Sequence, residues 1–272
     1  MRRLLLVFGL FGSLVVLSGC NAKKDSELPQ VYMGYTADYI YAQAHDQMQD
    51  KDYYDAIRSY KSLAAQYPFT KQSEQGMVDL IYVYYQNDQA TLSLALAEQF
   101  IKMYPYSKNK GYIYYMIGII GFENGRGLLQ KYGPYEMAHH DPTGYTDAYG
   151  NFEKAIALDP DGPFVPDAKR RMVYINDTVA KYYFNIANFY YKRGAYNSAI
   201  SRAGEIIKKY PKSSSAEGAL VLSIKSYEKL GLKKQMNTNL DVLKENYPDN
   251  KYLNNIEDGD EDSFWNTYFG WL

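Results

Sequence analysis

The sequence predicts an all-α solenoid of about five helical hairpins, and three observations carry that prediction. Five segments align with one another and each closes on a proline: YYDAIRSYKSLAAQYP at Pro68, SLALAEQFIKMYP at Pro105, DAYGNFEKAIALDP at Pro160, AYNSAISRAGEIIKKYP at Pro211 and KQMNTNLDVLKENYP at Pro248. Apolar residues recur within and before them at three- and four-residue steps, the period of a helix stripe. No segment shows convincing two-residue alternation bounded by turns, so no sheet is expected.

The closing prolines lie 37, 55, 51 and 37 residues apart. Two intervals are close to the tetratricopeptide period of roughly 34 residues, and the other two carry insertions of roughly 20. The first hairpin is expected at Ala37 to Asp50 and Tyr53 to Tyr67, the second at Gln72 to Tyr85 and Leu92 to Tyr104. In the third, Gly111 to Lys131 and Asp147 to Ala157 flank an irregular stretch, KYGPYEMAHHDPTGYT. Pro166 to Tyr191 reads as one long helix containing the first helix of the fourth hairpin, whose second helix is Tyr196 to Lys209. Ala216 to Lys229 and Lys233 to Asn246 make the fifth, so the repeat domain spans 37 to 248. The fourth hairpin shows the logic. Tyr183, Ile186, Ala187 and Tyr190 form one stripe, Ala199, Ala203 and Ile206 another, and Gly194 between them can take the positive φ that ends a helix. Small residues at Ala56, Ala148, Ala155, Ala199 and Ala203 let paired helices approach closely. Each proline lacks an amide proton and disfavours helix in its predecessor, so the second helix of each hairpin ends there. Thr70, Ser107 and Ser213 follow as candidate caps of the next helix.

Composition narrows the function. The 272 residues are 46% hydrophobic and 22% charged with a formal net charge of −1, which excludes a polytopic membrane protein and disorder over most of the length. One cysteine, Cys20, permits neither an intramolecular disulfide nor a thiolate metal site. The near-neutral balance lacks the basic excess of a nucleic-acid binder. The 31 tyrosines, against 11 phenylalanines and 2 tryptophans, are left unexplained by these totals.

The first twenty residues, MRRLLLVFGLFGSLVVLSGC, combine a basic start, an apolar stretch from Leu4 to Leu17 too short to span a bilayer, and a small-residue end. Leu17-Ser18-Gly19-Cys20 resembles the bacterial lipobox, which implies removal of residues 1–19 and lipidation of Cys20. Several acyl chains hold a protein stably, at ~0.8 kcal/mol per buried CH₂. Asn21, where aspartate favours inner-membrane retention in the lipoproteins it resembles, points to the outer membrane. Residues 20–36 read as a lipidated flexible tether, and 249–272, with six acids, Lys251 and both tryptophans, as a disordered acidic-aromatic tail.

The stretch AAQYPFTKQSEQGMVDLIYVYYQNDQATLSLALAEQFIKMYPYS, then IYYMIGI, the HHDPTG insertion and DAKRRMVYINDTVAKYYFNIANFYYKRGAYNSAISRAGEIIKKYP resemble the BamD family, over about residues 37–248 and in the lipobox. The resemblance implies a non-enzymatic subunit of the outer-membrane β-barrel assembly machinery, with no cofactor beyond the lipid on Cys20. It implies outer-membrane protein clients met in the unfolded state and recognised by the amino-terminal units. It also implies a central barrel-assembly subunit docked by the carboxy-terminal units, together with accessory assembly lipoproteins. The runner-up is a tetratricopeptide pilotin lipoprotein for a secretin or type IV pilus channel.

Candidate site residues follow. Tyr41, His45, Tyr82 and Tyr85 lie beside the packing stripes of the first two units and are candidates for client binding, because tyrosine offers a wide ring and a hydroxyl to an extended backbone. Tyr82 and Tyr85 read equally as packing between helices. Arg202 occupies the position of an arginine that the family resemblance links to the barrel subunit; it and Glu205 are partner-binding candidates, with Lys192 and Arg193 behind them. The alternative for Arg202 is a solvated charge or an internal pair with Glu205. His139, His140 and Asp141 lack the spacing and the fourth ligand of a metal site. The glycines at 118, 121, 125 and 127 follow no strand and precede no Lys-Ser or Lys-Thr, so helix packing explains them better than phosphate binding. No nucleophile motif is present.

Overall fold

The computed structural model describes residues 32–132 and 142–255, and within these all side chains but those of 125–132 and 254–255. The signal segment, Cys20, the His139-His140-Asp141 cluster and most of the acidic tail therefore lie outside the described residues. Among the described residues the chain forms helices and turns: α1 Ala37–Gln49, α2 Tyr53–Gln66, α3 Lys71–Gln86, α4 Ala90–Met103, α5 Lys110–Tyr132, α6 Thr143–Leu158, α7 Val165–Lys192, α8 Tyr196–Lys209, α9 Ala216–Lys229, α10 Lys233–Asn246 and α11 Lys251–Asn255. Five hairpins result, α1/α2 to α9/α10. The first helices stand side by side, α1 on α3, α3 on α5 and α7 on α9, forming one layer with their partners outside it. This is the tetratricopeptide-like solenoid the spacing predicts.

Two backbone devices repeat along it. At the end of each hairpin the residue before proline, Tyr67, Tyr104, Asp159, Tyr210 or Tyr247, stands at φ between −144° and −124° and ψ between 48° and 80°. Proline forbids the helical region there. The amide of each still reaches the carbonyl four residues back, on Leu63, Phe100, Ala155, Ile206 and Leu243, all fully buried. Within hairpins, Gly194 (φ +75°) and Gly231 (φ +70°) supply the left-handed residue of the turn, and the next residue bonds back to Tyr190 or Tyr227. The first two hairpins place Lys51 (φ +63°) and Asp88 (φ +55°) in that conformation.

Packing is aromatic against small. Ala56, Ala97, Ala148, Ala155, Ala199 and Ala203 are fully buried. A Cβ at Gly118 would lie 2.6 Å from the Phe152 ring, so the absence of a side chain on α5 lets α6 seat its phenylalanine. Helix α7, 28 residues or about 42 Å long, belongs to two cores. Its Ala168, Ile175 and Val179 pack with Phe122, Tyr145 and Phe152 of the third hairpin, and its Ala180, Phe184 and Ala187 with Ala203, Ile206 and α9. The third and fourth hairpins are thus joined by a continuous helix.

Some expectations fail at the edges. Helix α6 starts at Thr143, four residues before the expected Asp147, and α5 runs to Tyr132, so both ends of the stretch expected to be irregular are helical. Thr70 caps α3, accepting from the Ser73 amide at 3.2 Å, and Ser107 accepts from Asn109 at 3.1 Å. Ser213 instead donates to the Tyr210 carbonyl at 2.8 Å and caps nothing. The tether is docked from Tyr32 onward: the Tyr32 hydroxyl pairs with Ser59 at 2.9 Å, and Tyr67 donates to the Tyr35 carbonyl at 2.6 Å. At the other end, Asn250 is 3% exposed and donates to Glu217, and Tyr252 lies under the Lys225 ammonium at 5.5 Å, so the first residues of the expected tail belong to the fold.

The Gly118 contact makes a prediction. Gly118→Ala forces the Phe152 ring aside, at ~1–3 kcal/mol for overpacking. The melting temperature followed by circular dichroism falls by ~2–4 °C per kcal/mol lost.

Candidate functional site: a groove across the first three hairpins

The inner face of α1, α3 and α5 holds an open groove of about 580 Å³ that runs from the α1–α2 turn to the α4–α5 and α6–α7 turns. Val78, Tyr82, Tyr112 and Phe164 supply its apolar walls, Gln75 and Asn109 its amides, and Lys51 and Lys108 stand at its two ends. Gln75, Val78, Asp79 and Tyr82 share one stripe of α3, which is why a single helix furnishes so much of the lining.

Beneath the groove Asp79 is a hub. Its Oδ2 accepts from the Tyr41 hydroxyl at 3.0 Å and the Tyr60 hydroxyl at 3.2 Å, and its Oδ1 accepts from Gln75 at 2.9 Å. His45 stacks on Tyr41 and brings Nδ1 to 3.9 Å from the carboxylate. Helices α1, α2 and α3 are thereby tied to one carboxylate whose side chain is 12% exposed. Burial, then the Asp79 charge and hydrogen bond, push both the Tyr41 and Tyr60 phenols far above their ordinary range. These phenols stay neutral donors.

A second polar cluster lies one hairpin along. Asp167 at the start of α7 accepts from Tyr115 at 2.9 Å, Arg171 at 2.6 Å and Arg170 at 3.1 Å, and Arg171 also reaches Glu123 at 3.6 Å. Burial alone would raise the Asp167 carboxyl, but these hydrogen bonds outweigh it and hold it below the usual range. Tyr115 is pushed up to about 12 by burial and by its bond to Asp167.

The sequence-derived candidates separate on this map. Tyr82 lines the groove. Tyr41 and His45 stand behind it, on Asp79. Tyr85 packs instead into the cores around Phe122 and Ile113, its phenol raised by burial and the nearby Glu123 charge, so the structure does not bring it beside Tyr82 in the groove. On α8, Arg202 donates to Glu205 at 3.2 Å, the internal pair, with Lys209 at 3.9 Å on the same carboxylate. Arg193 lies 4.6 Å above the Phe189 ring, and exposed Lys192 ends α7 beside it, both at the hairpin tip rather than with Arg202. Sequence reasoning missed Asp79, Tyr112 and the Asp167–Arg171 cluster. The available signal for Asp79 was an acid inside a helical stripe, four residues after Gln75 and three before Tyr82. Among the described residues no cluster of His, Cys, Asp and Glu has the makings of a metal site.

A hairpin solenoid with a tyrosine- and amide-lined inner groove is a scaffold of the tetratricopeptide type. A family profile described as YfiO, outer membrane lipoprotein, matches residues 34–243. The chain is 28% identical to outer membrane protein assembly factor BamD of Neisseria meningitidis serogroup A over 269 residues, covering 97% of this chain and 98% of that one. It is 31% identical to that of Vibrio cholerae over 81% of this chain and 89% of that one, and 30% identical to that of Haemophilus influenzae over 82% and 83%. The chain belongs to the BamD family of outer membrane lipoproteins. The crystal structure of MamA protein aligns over 78% of this chain and 92% of its own at 18% identity and a TM-score of 0.35, a likeness that adds nothing to the helix pairing above.

The two clusters set the pH limits of the fold. Phenols raised above the ordinary value of 10.0 contribute stability that is complete below pH 10 and lost above it; the depressed Asp167 contributes stability lost as pH falls through the carboxylate range. Urea midpoints should therefore decline at both ends, and Tyr60→Phe should flatten the alkaline limb. Asp79→Ala orphans the buried Tyr60 hydroxyl and lowers stability at neutral pH by ~1–3 kcal/mol, measurable as a lower urea midpoint.

Proposed function

We propose that this chain is a non-enzymatic scaffold of the outer-membrane protein assembly machinery, anchored by lipid on Cys20 and facing the periplasm. The observation that carries the reading is the groove itself, in a chain related over nearly its whole length to proteins named for outer membrane protein assembly. No described helix is long and apolar enough to cross a membrane, which agrees with attachment through Cys20.

In this reading the groove takes an extended, aromatic-bearing segment of an unfolded client. Tyr82, Tyr112 and Phe164 offer ring faces, Asn109 offers its amide oxygen to a strand-like backbone while its nitrogen donates to the Gln75 oxygen at 3.3 Å, and Lys51 or Lys108 meets a terminal carboxylate. Asp79, at the floor of the same groove, acts through position. Saturated by its own chain's donors, it holds α1, α2 and α3 in register so that the lining is formed before the client arrives. The carboxy-terminal half supplies the second contact: Arg202, already oriented by Glu205, with Lys192 and Arg193 at the α7–α8 tip, faces the central barrel-assembly subunit. Accessory assembly lipoproteins complete the set of partners.

Two measurements test this. Tyr82→Ala should weaken binding of a client carboxy-terminal peptide, read by fluorescence anisotropy, about tenfold, or about 1.4 kcal/mol; unchanged affinity would remove the groove from the account. Arg202→Glu, which also repels Glu205, should abolish co-purification of the barrel-assembly subunit from detergent extracts. Recovery of a secretin in place of that subunit with the unaltered chain would make it a pilotin instead.

A further inference from the structure

The inter-hairpin turns of the first two units fall on one edge of the solenoid. Tyr67 bonds the Tyr35 carbonyl, Gln72 bonds Asp38 at 2.5 Å, and Ser107 bonds Glu74 at 2.6 Å, so the start of α1, the α2–α3 turn and the α4–α5 turn are neighbours. That edge displays large apolar side chains to solvent. Met33 is 70% exposed, Phe69 80% and Tyr106 99%, while Tyr35 and Tyr39 stack on each other at 4.5 Å and are each nearly half exposed. Phe69 is the sharpest case, since its φ of +65° is a strained conformation for a bulky residue and it holds the ring out in solvent. Exposed Lys71 and Lys108 follow the two turn aromatics, and the nearby acids Asp38 and Glu74 already accept hydrogen bonds from Gln72 and Ser107. The turns of the opposite edge read Asp50-Lys51-Asp52 and Asn87-Asp88-Gln89, and its exposed aromatic is Tyr54, 64% exposed beside the Arg58 guanidinium.

We propose that this edge rests on the phospholipid surface, with Met33, Tyr35, Tyr39, Phe69 and Tyr106 as interfacial side chains. The occupant follows from chain length and chemistry. Tyr32 is twelve residues from Cys20, so a chain extending ~3.3–3.6 Å per residue keeps this edge within about 40 Å of the leaflet that holds the lipid. Aromatic rings bordered by lysines are what a membrane–water interface takes up. Adsorption gives the anchored chain a second point of attachment, which fixes the groove's direction relative to the leaflet and opens its Lys108 end beside it. The inference rests on the Cys20 anchoring proposed above.

The test uses the full lipidated chain in vesicles of phosphatidylethanolamine and phosphatidylglycerol. Acylation leaves Cys20 without a thiol, so Lys71→Cys or Asp88→Cys provides a unique site for an environment-sensitive dye, quenched by lipids carrying a headgroup-level nitroxide. The label at 71 should be quenched at least about twofold more than the label at 88, as an interfacial edge requires. Adding Phe69→Ser and Tyr106→Ser should remove the difference. Phe69→Gly should reduce the quenching while raising the melting temperature, because glycine accepts the positive φ. Equal quenching at 71 and 88 in a chain whose intact mass shows acylated Cys20 overturns the edge contact and leaves the anchor standing. An unacylated Cys20 overturns both.

Discussion

The Tyr-Pro junction is the constraint on which the rest of the structure depends. A solenoid has no common core: each hairpin buries its inner face only against its neighbours. Register between hairpins must therefore be fixed locally. Here it is fixed by one backbone state repeated at Tyr67, Tyr104, Asp159 and Tyr210, and recurring at Tyr247 after the last hairpin, where proline ends the helix and the last amide still bonds a buried carbonyl. The tyrosine at four of these five positions explains part of the tyrosine excess. Its ring packs where one hairpin ends: Tyr104 lies obliquely on Phe100, Tyr210 stacks on Tyr183, and burial raises both phenols.

That repeat runs without a break through two structurally distinct halves. In the first, three helices converge on Asp79, and a carboxylate with donors from all sides leaves little freedom for α1 to shift against α3. In the second, α7 runs through two cores as a splint. A client contact in the groove and a partner contact on α8 would share a framework in which the Asp167–Arg171 cluster sits between them, bonding α5 to α7 through Tyr115. The proposed lipid edge would add a third contact and, through Phe69, would give a use to a conformation that stability alone disfavours.

Helix identity was legible because the signal was periodic and punctuated. The helices α8, α9 and α10 begin and end where Gly194, Gly231, Pro211 and Pro248 place them. The sequence was less informative where structure depends on distant partners. Tyr32–Tyr35 and α11 have no periodicity of their own and are held by Ser59, Tyr67, Glu217 and Lys225 from other hairpins. Thr143 and Gly144 open α6 in a stretch whose glycine and prolines suggested a loop. The site was half legible. Tyrosines on the α3 stripe were visible, but the separation of Tyr82 from Tyr85 depends on which neighbouring hairpin each meets, and the importance of Asp79 depends on phenols from α1 and α2. The Arg202–Glu205 pair was visible from its three-residue spacing, whereas the proposed use by a partner depends on a surface outside this chain.

The central claim is that a preformed groove across α1, α3 and α5 receives the client. Hydrogen–deuterium exchange of the full lipidated chain, with and without a client carboxy-terminal peptide, tests it most directly. The account predicts slowed exchange over residues 45–53, 75–82 and 108–115, with α8 to α10 unchanged. Slowing confined to α7–α10, or none at saturating peptide, would contradict it.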